Sequence, residues 1–412
     1  FIVTAPVSII MVGINGYGAD YIDVLAQQPL NTVKVVGAVD PHWSRDSGSL
    51  ECFHDAVPVY KSLPDCFEAG HAADLVVIAS PIHHHISQSV LALKHGCHVL
   101  CEKPLGSAIQ EVKALMDACD RSDRSVRIGY QWSYSRGIQA LKNDIRTGRF
   151  GAPIRLKTIC LWPRTTSYYQ RNAWAGKLRE AVTGRWILDS PLNNAQAHFL
   201  HNLFFLMGTT TGASALPIEV TAEACRVNDI ESFDTVACRA RTAENVEILF
   251  YGSHASQQSQ GPRFELEFER ARVTFDANTQ GQKNEIVVKD GTRCVDTYPS
   301  PDADGQFLKL NEAICSVRRA QPVSCGPEAA MAQTICANGV HESLGQILTV
   351  SDDRRRMAHG PDRCWIAGLD AEFQKAYQLG VLPSEVEGSL SVRGRTVDLK
   401  NYDQFPSREV GS

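Results

Sequence analysis

Five short apolar runs, VSIIMVG (7–13), VKVVGAVD (33–40), DLVVIAS (74–80), HVLCE (98–102) and SVRIGY (125–130), recur along the first 130 residues. Each is apolar nearly throughout and rich in β-branched side chains, which is the pattern of a strand buried on both faces. Between them ISQSVLALKHG (86–96) and IQEVKALMDACDR (109–121) repeat apolar residues every three or four positions, as amphipathic helices do. A strand–helix–strand series of this kind folds as an α/β unit with a doubly wound parallel sheet. Such sheets receive ligands beyond the carboxyl ends of their strands.

At 412 residues the chain exceeds the roughly 250 to 300 at which a single core stops growing, so two domains are expected, 1–132 and 133–412. The second begins with a helical segment, IQALKNDIRTG (138–148), and a strand, IRLKTICLW (154–162). A further helix is expected over 189–207, with Asp189 or Ser190 as N-cap, Pro191 at the first helical position and Gly208 past its end. DTVACRARTAENVEILFYG (234–252) and FELEFERARVTFDA (264–277) alternate like antiparallel strands, and 327–346 reads as a helix. The second domain is therefore α+β with an open, largely antiparallel sheet. The last sixty or so residues are too mixed to place.

A hydrophobic content of 43%, a charged content of 21% and a net charge of -5 describe a globular chain with no basic excess for phosphate backbones, so nucleic acid is not expected as a partner. No apolar run reaches the roughly 20 residues of a membrane span. Thirteen irregularly spaced cysteines with no C-x-x-C pair fit reduced thiols in the cytoplasm. No charged leader with an apolar stretch precedes VSIIMVG, although the chain opens on Phe1 rather than Met, which leaves room for an upstream segment.

The first strand runs into Gly13-Ile14-Asn15-Gly16-Tyr17-Gly18. Glycines there let the backbone approach a pyrophosphate while a helix N-terminus points free N–H groups at the charge, although Tyr21 stands where a third fingerprint glycine would fall. Asp40 closes the second strand 22 residues past Gly18, and a carboxylate there accepts from ribose hydroxyls and repels a 2′-phosphate. NAD is favoured over NADP on this ground, with Arg45 as the one nearby residue that softens the choice. An Asp ending a strand before Pro41 is the alternative reading.

IASPIHHH (78–85) and HVLCEKPL (98–105), followed by GY and Arg136 and preceded by VGINGYG, resemble the glucose-fructose oxidoreductase, inositol dehydrogenase and MocA family. The resemblance covers the first 150 residues well, extends through 189–207 and thins beyond about 220. It implies a Rossmann domain followed by an α/β domain whose open sheet supports dimers or tetramers, and redox chemistry with NAD(P) at a carbon of a sugar or polyol. It puts the glycine fingerprint on Gly13, Gly16 and Gly18, with Asn15 and Tyr17 between them, and the ribose acid on Asp40. Ser80, Pro81, His85 and Glu102 join the cofactor set. The E-K-P lysine falls on Lys103, and the family's D-x-x-x-H pair on Asn194 and His198. His83 and His84 are left as surface residues. A run of three histidines suggests a metal site only beside a companion ligand cluster, and the sequence gives none, so no metal is expected.

Lys103 has a physical argument of its own, because a lysine at the tip of an apolar strand must reach solvent, a carboxylate or a ligand. A Lys103–Pro104 cis bond is compatible with the turn after it. In a hydride-transfer site its ammonium steadies the substrate oxygen while His198 takes the hydroxyl proton. Asn194, His198, His201 and Asn202 fall on one helical stripe, which a cleft or a satisfied core network could occupy. Asn194 replaces a carboxylate, and Asp189 is the nearest substitute for the missing charge. Between strand and helix, WPRTTSYYQRNAWAGK (162–177) mixes rings, Arg and amides as a sugar site does, which nominates Arg164, Tyr168, Asn172, Trp174 and Lys177, with His201, for substrate contact. An interdomain or subunit loop explains the same composition. Three functions stand: an NAD-dependent sugar or polyol oxidoreductase, an NAD-dependent glycoside-cleaving enzyme working by transient oxidation and elimination, and a non-catalytic sugar or nucleotide sensor.

Overall fold

The computed structural model describes residues 5–29, 31–44, 50–53, 56–278, 284–319, 321–358, 362–389 and 391–407; Arg45 lies outside them. The N-terminal runs form six parallel strands, β1 (Val7–Val12), β2 (Val33–Val39), β3 (Val59–Tyr60), β4 (Leu75–Ile78), β5 (His98–Cys101) and β6 (Val126–Ile128), in the order β3-β2-β1-β4-β5-β6. Helices α1 (Tyr17–Ala26), α2 (Leu63–Glu68), α3 (His85–Lys94) and α4 (Ile109–Asp120) connect them. Chain order reverses between β1 and β4, the crevice in which doubly wound sheets receive nucleotides.

The second sheet follows α5 (Arg136–Arg146). It comprises β7 (Pro153–Leu161), β8 (Pro217–Arg226), β9 (Thr235–Thr242), β10 (Glu247–Ser253), β11 (Gln260–Phe268), β12 (Arg272–Asp276), β13 (Ile286–Asp290), β14 (Arg293–Tyr298) and β15 (Leu348–Thr349), ordered β14-β13-β12-β11-β7-β10-β9-β8-β15, with Val397–Asp398 also paired to β8. The pairing is antiparallel except where β10 meets β7 and β15 meets β8. Short α6 (Thr166–Gln170) and buried α7 (Ala197–Leu206) lie between β7 and β8, and α8 (Leu308–Arg318) and α9 (Pro327–Leu344) come after the sheet.

Leu310, Ala313 and Ile314 of α8 pack among Val7, Ile9, Met11, Leu75, Val77 and Leu100, so the core of the parallel sheet is completed from beyond residue 132. One helix starts later than the sequence suggests. Residues 191–196 are successive turns and α7 begins at Ala197 with Gln196 before it. Ser190 does cap, but it accepts from Asn193 N at 3.2 Å and closes a turn, while Asp189 is occupied elsewhere.

Burial sets the acid limit of this fold. Inside it burial holds His201 down to about 3, with Lys142 adding to the effect, and holds His254 well below 6.5, with Arg164 and Arg171 adding. A histidine depressed in the folded state contributes stability above its unfolded value near 6.5 that is lost as pH falls below it. At about pH 5 His201 costs about 2 kcal/mol, and His254 adds in the same direction. Calorimetry is expected to show the unfolding midpoint dropping steadily from about pH 7 to about pH 5. A flat midpoint over that window contradicts the burial described.

Candidate active site

The glycine turn closes against the neighbouring strand. Gly13 has φ 78°, and a Cβ there would meet the Ala79 carbonyl oxygen at 2.8 Å; one on Gly18 would meet the Gly13 oxygen at 2.0 Å. Gly16, φ 57°, has open space where its Cβ would be, and α1 starts beside it with no side-chain cap. Backbone that approaches closely at two points and leaves a helix N-terminus uncovered fits a pyrophosphate. Asp40 is buried beside this turn. Its Oδ2 accepts from Ile14 N (3.2 Å) and Asn15 Nδ2 (2.9 Å), and Oδ1 from His42 N (2.9 Å). A carboxylate has about four acceptor positions, so this one both fixes the turn and keeps capacity for a ribose hydroxyl.

Tyr21, in the place of a fingerprint glycine, points under the sheet and donates to Glu102 Oε1 at 2.7 Å. Lys309 of α8 forms an ion pair with the same oxygen, and its Nζ also contacts Tyr17 Oη at 3.2 Å. Glu102 Oε2 accepts from Lys103 N at 3.1 Å. Burial opposes ionisation of Glu102, yet Lys309, Tyr21 and Lys103 hold its carboxyl below the usual range. Its oxygens are thus engaged by the protein itself, as a brace under the Lys103 strand tip. His85 braces the same turn: Nδ1 is 2.7 Å from the Pro104 carbonyl and Nε2 2.8 Å from that of Ser80. The Ser80 hydroxyl donates to Gln88, and Pro81 starts the short turn Ile82–His84. For Glu102 and His85 the structure therefore offers support of the cleft floor, through contacts that no sequence spacing announces.

The Lys103–Pro104 bond is cis. Nζ of Lys103 donates to the main-chain oxygen of Asn194 at 2.8 Å, so the amide position meets the lysine through its backbone. The Asn194 side chain instead donates to Asp189 Oδ1 at 2.7 Å, and Asp189 Oδ2 accepts from Gly176 N at 2.6 Å. Asp189 is buried, and it follows Leu188, whose φ of 53° a branched side chain adopts only under strain. Burial pushes the Asp189 carboxyl up against the pull of Gly176, Asn194, Arg171 and Lys103. Burial likewise lowers Lys103 to about 8, with Glu102 and Asp189 raising it and Lys309 and Arg164 lowering it.

His198, in the first turn of α7, is half-buried beside the Tyr130 ring, and its Nδ1 has no hydrogen-bond partner. Burial first, then Lys103, Lys309 and His201, hold it well below 6.5, so the ring is neutral and able to accept a proton. The polar stripe expected on this helix divides. His201 is in the core, stacked on Tyr130 at 3.9 Å with Nε2 2.9 Å from Ser133 Oγ, and Asn202 is 1% exposed. His201 is thus a core residue: every residue of α7 but His198 is buried.

In the 162–177 loop, Arg164 lies over Tyr168 at 4.9 Å and Tyr168 meets His254 edge-on. Arg171 lies over the rings of both Tyr168 (3.7 Å) and Trp174 (5.3 Å). Asn172 Oδ1 accepts from Trp174 N and Ala175 N, which makes it a turn residue, and Lys177 pairs with Glu231 in a half-exposed ion pair. Arg164, Tyr168 and Trp174 are left as an aromatic and cationic cluster; Arg171 and His254 belong with it and were invisible as a pattern because contact, not spacing, assembles them.

Asn194→Asp would set a second carboxyl against buried Asp189 and remove the amide donor between them. We expect this variant to lose about 1–3 kcal/mol at neutral pH and to recover part of it in acid, where one carboxyl is protonated. Urea unfolding at two pH values measures this, and equal losses at both would contradict the contact.

Residues 7–130 match a family described as an oxidoreductase family with an NAD-binding Rossmann fold. The chain is 26% identical over 231 residues to D-apiose dehydrogenase of Paraburkholderia graminis, a match covering 55% of this chain and 56% of that protein. It is 31% identical over 207 residues to inositol 2-dehydrogenase of Burkholderia ambifaria, covering 48% and 53%. The chain thus spans about half the length of these curated relatives. Among solved structures, the WlbA dehydrogenase from Bordetella pertussis, in complex with NADH and UDP-GlcNAcA, superposes with a TM-score of 0.65 at 21% identity over 82% of this chain and 96% of that one. At that identity the likeness speaks for the fold.

Proposed function

We propose that the protein, whose residues 7–130 match the model of an oxidoreductase family with an NAD-binding Rossmann fold, is an NAD-dependent oxidoreductase acting at a hydroxyl-bearing carbon of a sugar, polyol or glycoside. The observation that carries the reading is the approach of a partly desolvated lysine, Lys103, and a neutral, half-buried histidine, His198, at the carboxyl end of the parallel sheet. Gly13, Gly16 and Gly18 with the start of α1 would hold the pyrophosphate and Asp40 the adenosine ribose, which favours NAD over NADP. NAD, when bound, supplies the hydride acceptor.

The Lys103 ammonium, kept in place by the Asn194 carbonyl, steadies the substrate oxygen as negative charge grows there. His198, neutral at physiological pH, takes the hydroxyl proton. Asp189 offsets the lysine charge and orders Gly176 and Asn194, whose N–H groups donate to its two oxygens. Arg164, Tyr168 and Trp174 offer ring faces and a cation to a hydroxylated ring. The buried cysteines Cys66, Cys97, Cys101, Cys160 and Cys238 carry free thiols, which supports a reducing, cytoplasmic setting; among the described residues no helix is long and apolar enough to cross a membrane. Assembly as a homodimer or homotetramer through the second sheet belongs to the same reading.

The test is incubation of the purified protein with NAD and a panel of sugars, polyols and aryl glycosides. We expect NADH to form in proportion to substrate consumed. Aglycone release without net NADH would replace this reading with transient oxidation and elimination, and neither product with any compound would leave a sensor.

A further inference from the structure

The three consecutive histidines do not all serve the cleft. His85 is spent on two carbonyls, whereas His83 and His84 face away from it, toward the segment that follows the 162–177 loop. His83 is 8% exposed rather than a surface residue, and His84 is half-buried. Glu180 comes to meet them: one ligand atom from each of the three side chains lies within 4.8 Å of the other two. This is the companion ligand that the sequence could not show, since Glu180 is remote along the chain and isolated in its neighbourhood.

The His83 ring is not satisfied by hydrogen bonding. Its Nδ1 is buried without a partner, and Nε2 is 3.6 Å from Glu180 Oε1, too long for a hydrogen bond. A buried polar atom without a partner needs an explanation such as an ion. The other Glu180 oxygen accepts from Thr183 Oγ1, an outer contact of the kind that orients a carboxylate ligand. Glu180 is itself fixed in a small hairpin, with its N–H donating to Arg185 O at 2.8 Å and a bridge between Arg179 and Trp186.

We propose that His83, His84 and Glu180 bind a borderline divalent cation, Zn²⁺ in preference to Mg²⁺ or Ca²⁺. Two imidazole nitrogens and one carboxylate are the donor set that zinc takes in three-ligand sites with water in the fourth position, whereas magnesium and calcium take oxygen. A cation at about 2.1 Å from each atom brings ligands to about 3.4 Å from one another, a contraction of at most about 1.4 Å from the 4.8 Å within which they lie, which the partly exposed His84 and Glu180 side chains can supply. The ion would clamp the 178–187 hairpin, and with it the cluster-bearing loop before it, to the parallel-sheet domain just after β4.

The test uses the full chain stripped with a chelator and titrated with Co²⁺, read by its visible ligand-field absorption, then competed with Zn²⁺. We expect saturation at one equivalent, displacement by Zn²⁺ but not by Mg²⁺, and a thermal midpoint raised by Zn²⁺. His84→Ala and Glu180→Gln, whose midpoints in chelator should match the parent, are expected to weaken Co²⁺ binding by at least about tenfold. The proposal is overturned if the variants bind as tightly as the parent, if the absorption carries a thiolate charge-transfer band that assigns the ion to cysteine, or if no saturable binding is found.

Discussion

Lys309→Met is expected to lower the stability of the fold by about 3–5 kcal/mol. The Lys309 side chain is fully buried and Glu102, its partner, is 7% exposed. Removing the ammonium leaves a carboxylate in a dry site with Tyr21 Oη and Lys103 N as its donors, and an uncompensated buried charge costs more than the pair itself gains. The pair also joins α8, 207 residues away in sequence, to the turn that presents Lys103, so the loss should propagate to the site. With one neighbouring cation gone and Glu102 freed to act on it, the Lys103 ammonium is held more tightly and titrates above its present value of about 8. Adding Glu102→Gln to Lys309→Met should restore much of the stability, because the orphaned charge disappears with it. Urea unfolding of the two variants and the double variant checks this. A loss below about 1 kcal/mol in the single variant would mean that solvent reaches the pair.

Lys103→Met is expected to reduce kcat by about 10²–10³ while leaving the unfolding midpoint nearly unchanged. The methionine fills the same volume without the donor that steadies the developing oxyanion, and the contact it gives up is a half-buried one to the Asn194 carbonyl. The parent should lose activity as pH rises past about 8, because the proposed mechanism needs the ammonium form of Lys103, which is lost there. His198 sets no limb near 6.5, since its proton is lost well below that. A parent profile that rises through about pH 8 would make neutral Lys103 the base and reverse the two roles.

The parallel sheet was readable because strands buried on both faces have a compositional signature, and all five apolar runs became strands of it. Two-residue β3 and six-residue α2 carry too few residues for any periodicity, and no helix was expected over 308–318, where α8 completes the core of the parallel sheet. Serine before proline at 190–191 suggested a helix start, but that signal reports a turn equally well, and the capture of Asp189 by Gly176 delays α7 to Ala197. The spacing of His198 and His201 is compatible with a shared face only if the helix is exposed on that face, and α7 is packed nearly all round. Lys103 and His198 were nominated by a motif; apart from burial and the adjacent Glu102, the groups that shift Lys103 reach it through tertiary contacts, Asp189 from 86 residues away and Lys309 from 206. Glu180 was invisible for the same reason.

The most direct test of the central claim uses whichever sugar or polyol reduces NAD fastest, deuterated at the carbon to be oxidised. The account predicts that the label is recovered in the nicotinamide ring of NADH, that kcat falls with deuteration, and that His198→Ala slows the transfer without changing its destination. Label released into water, or retained in a product formed without NADH, would contradict direct hydride transfer at the Lys103 and His198 site.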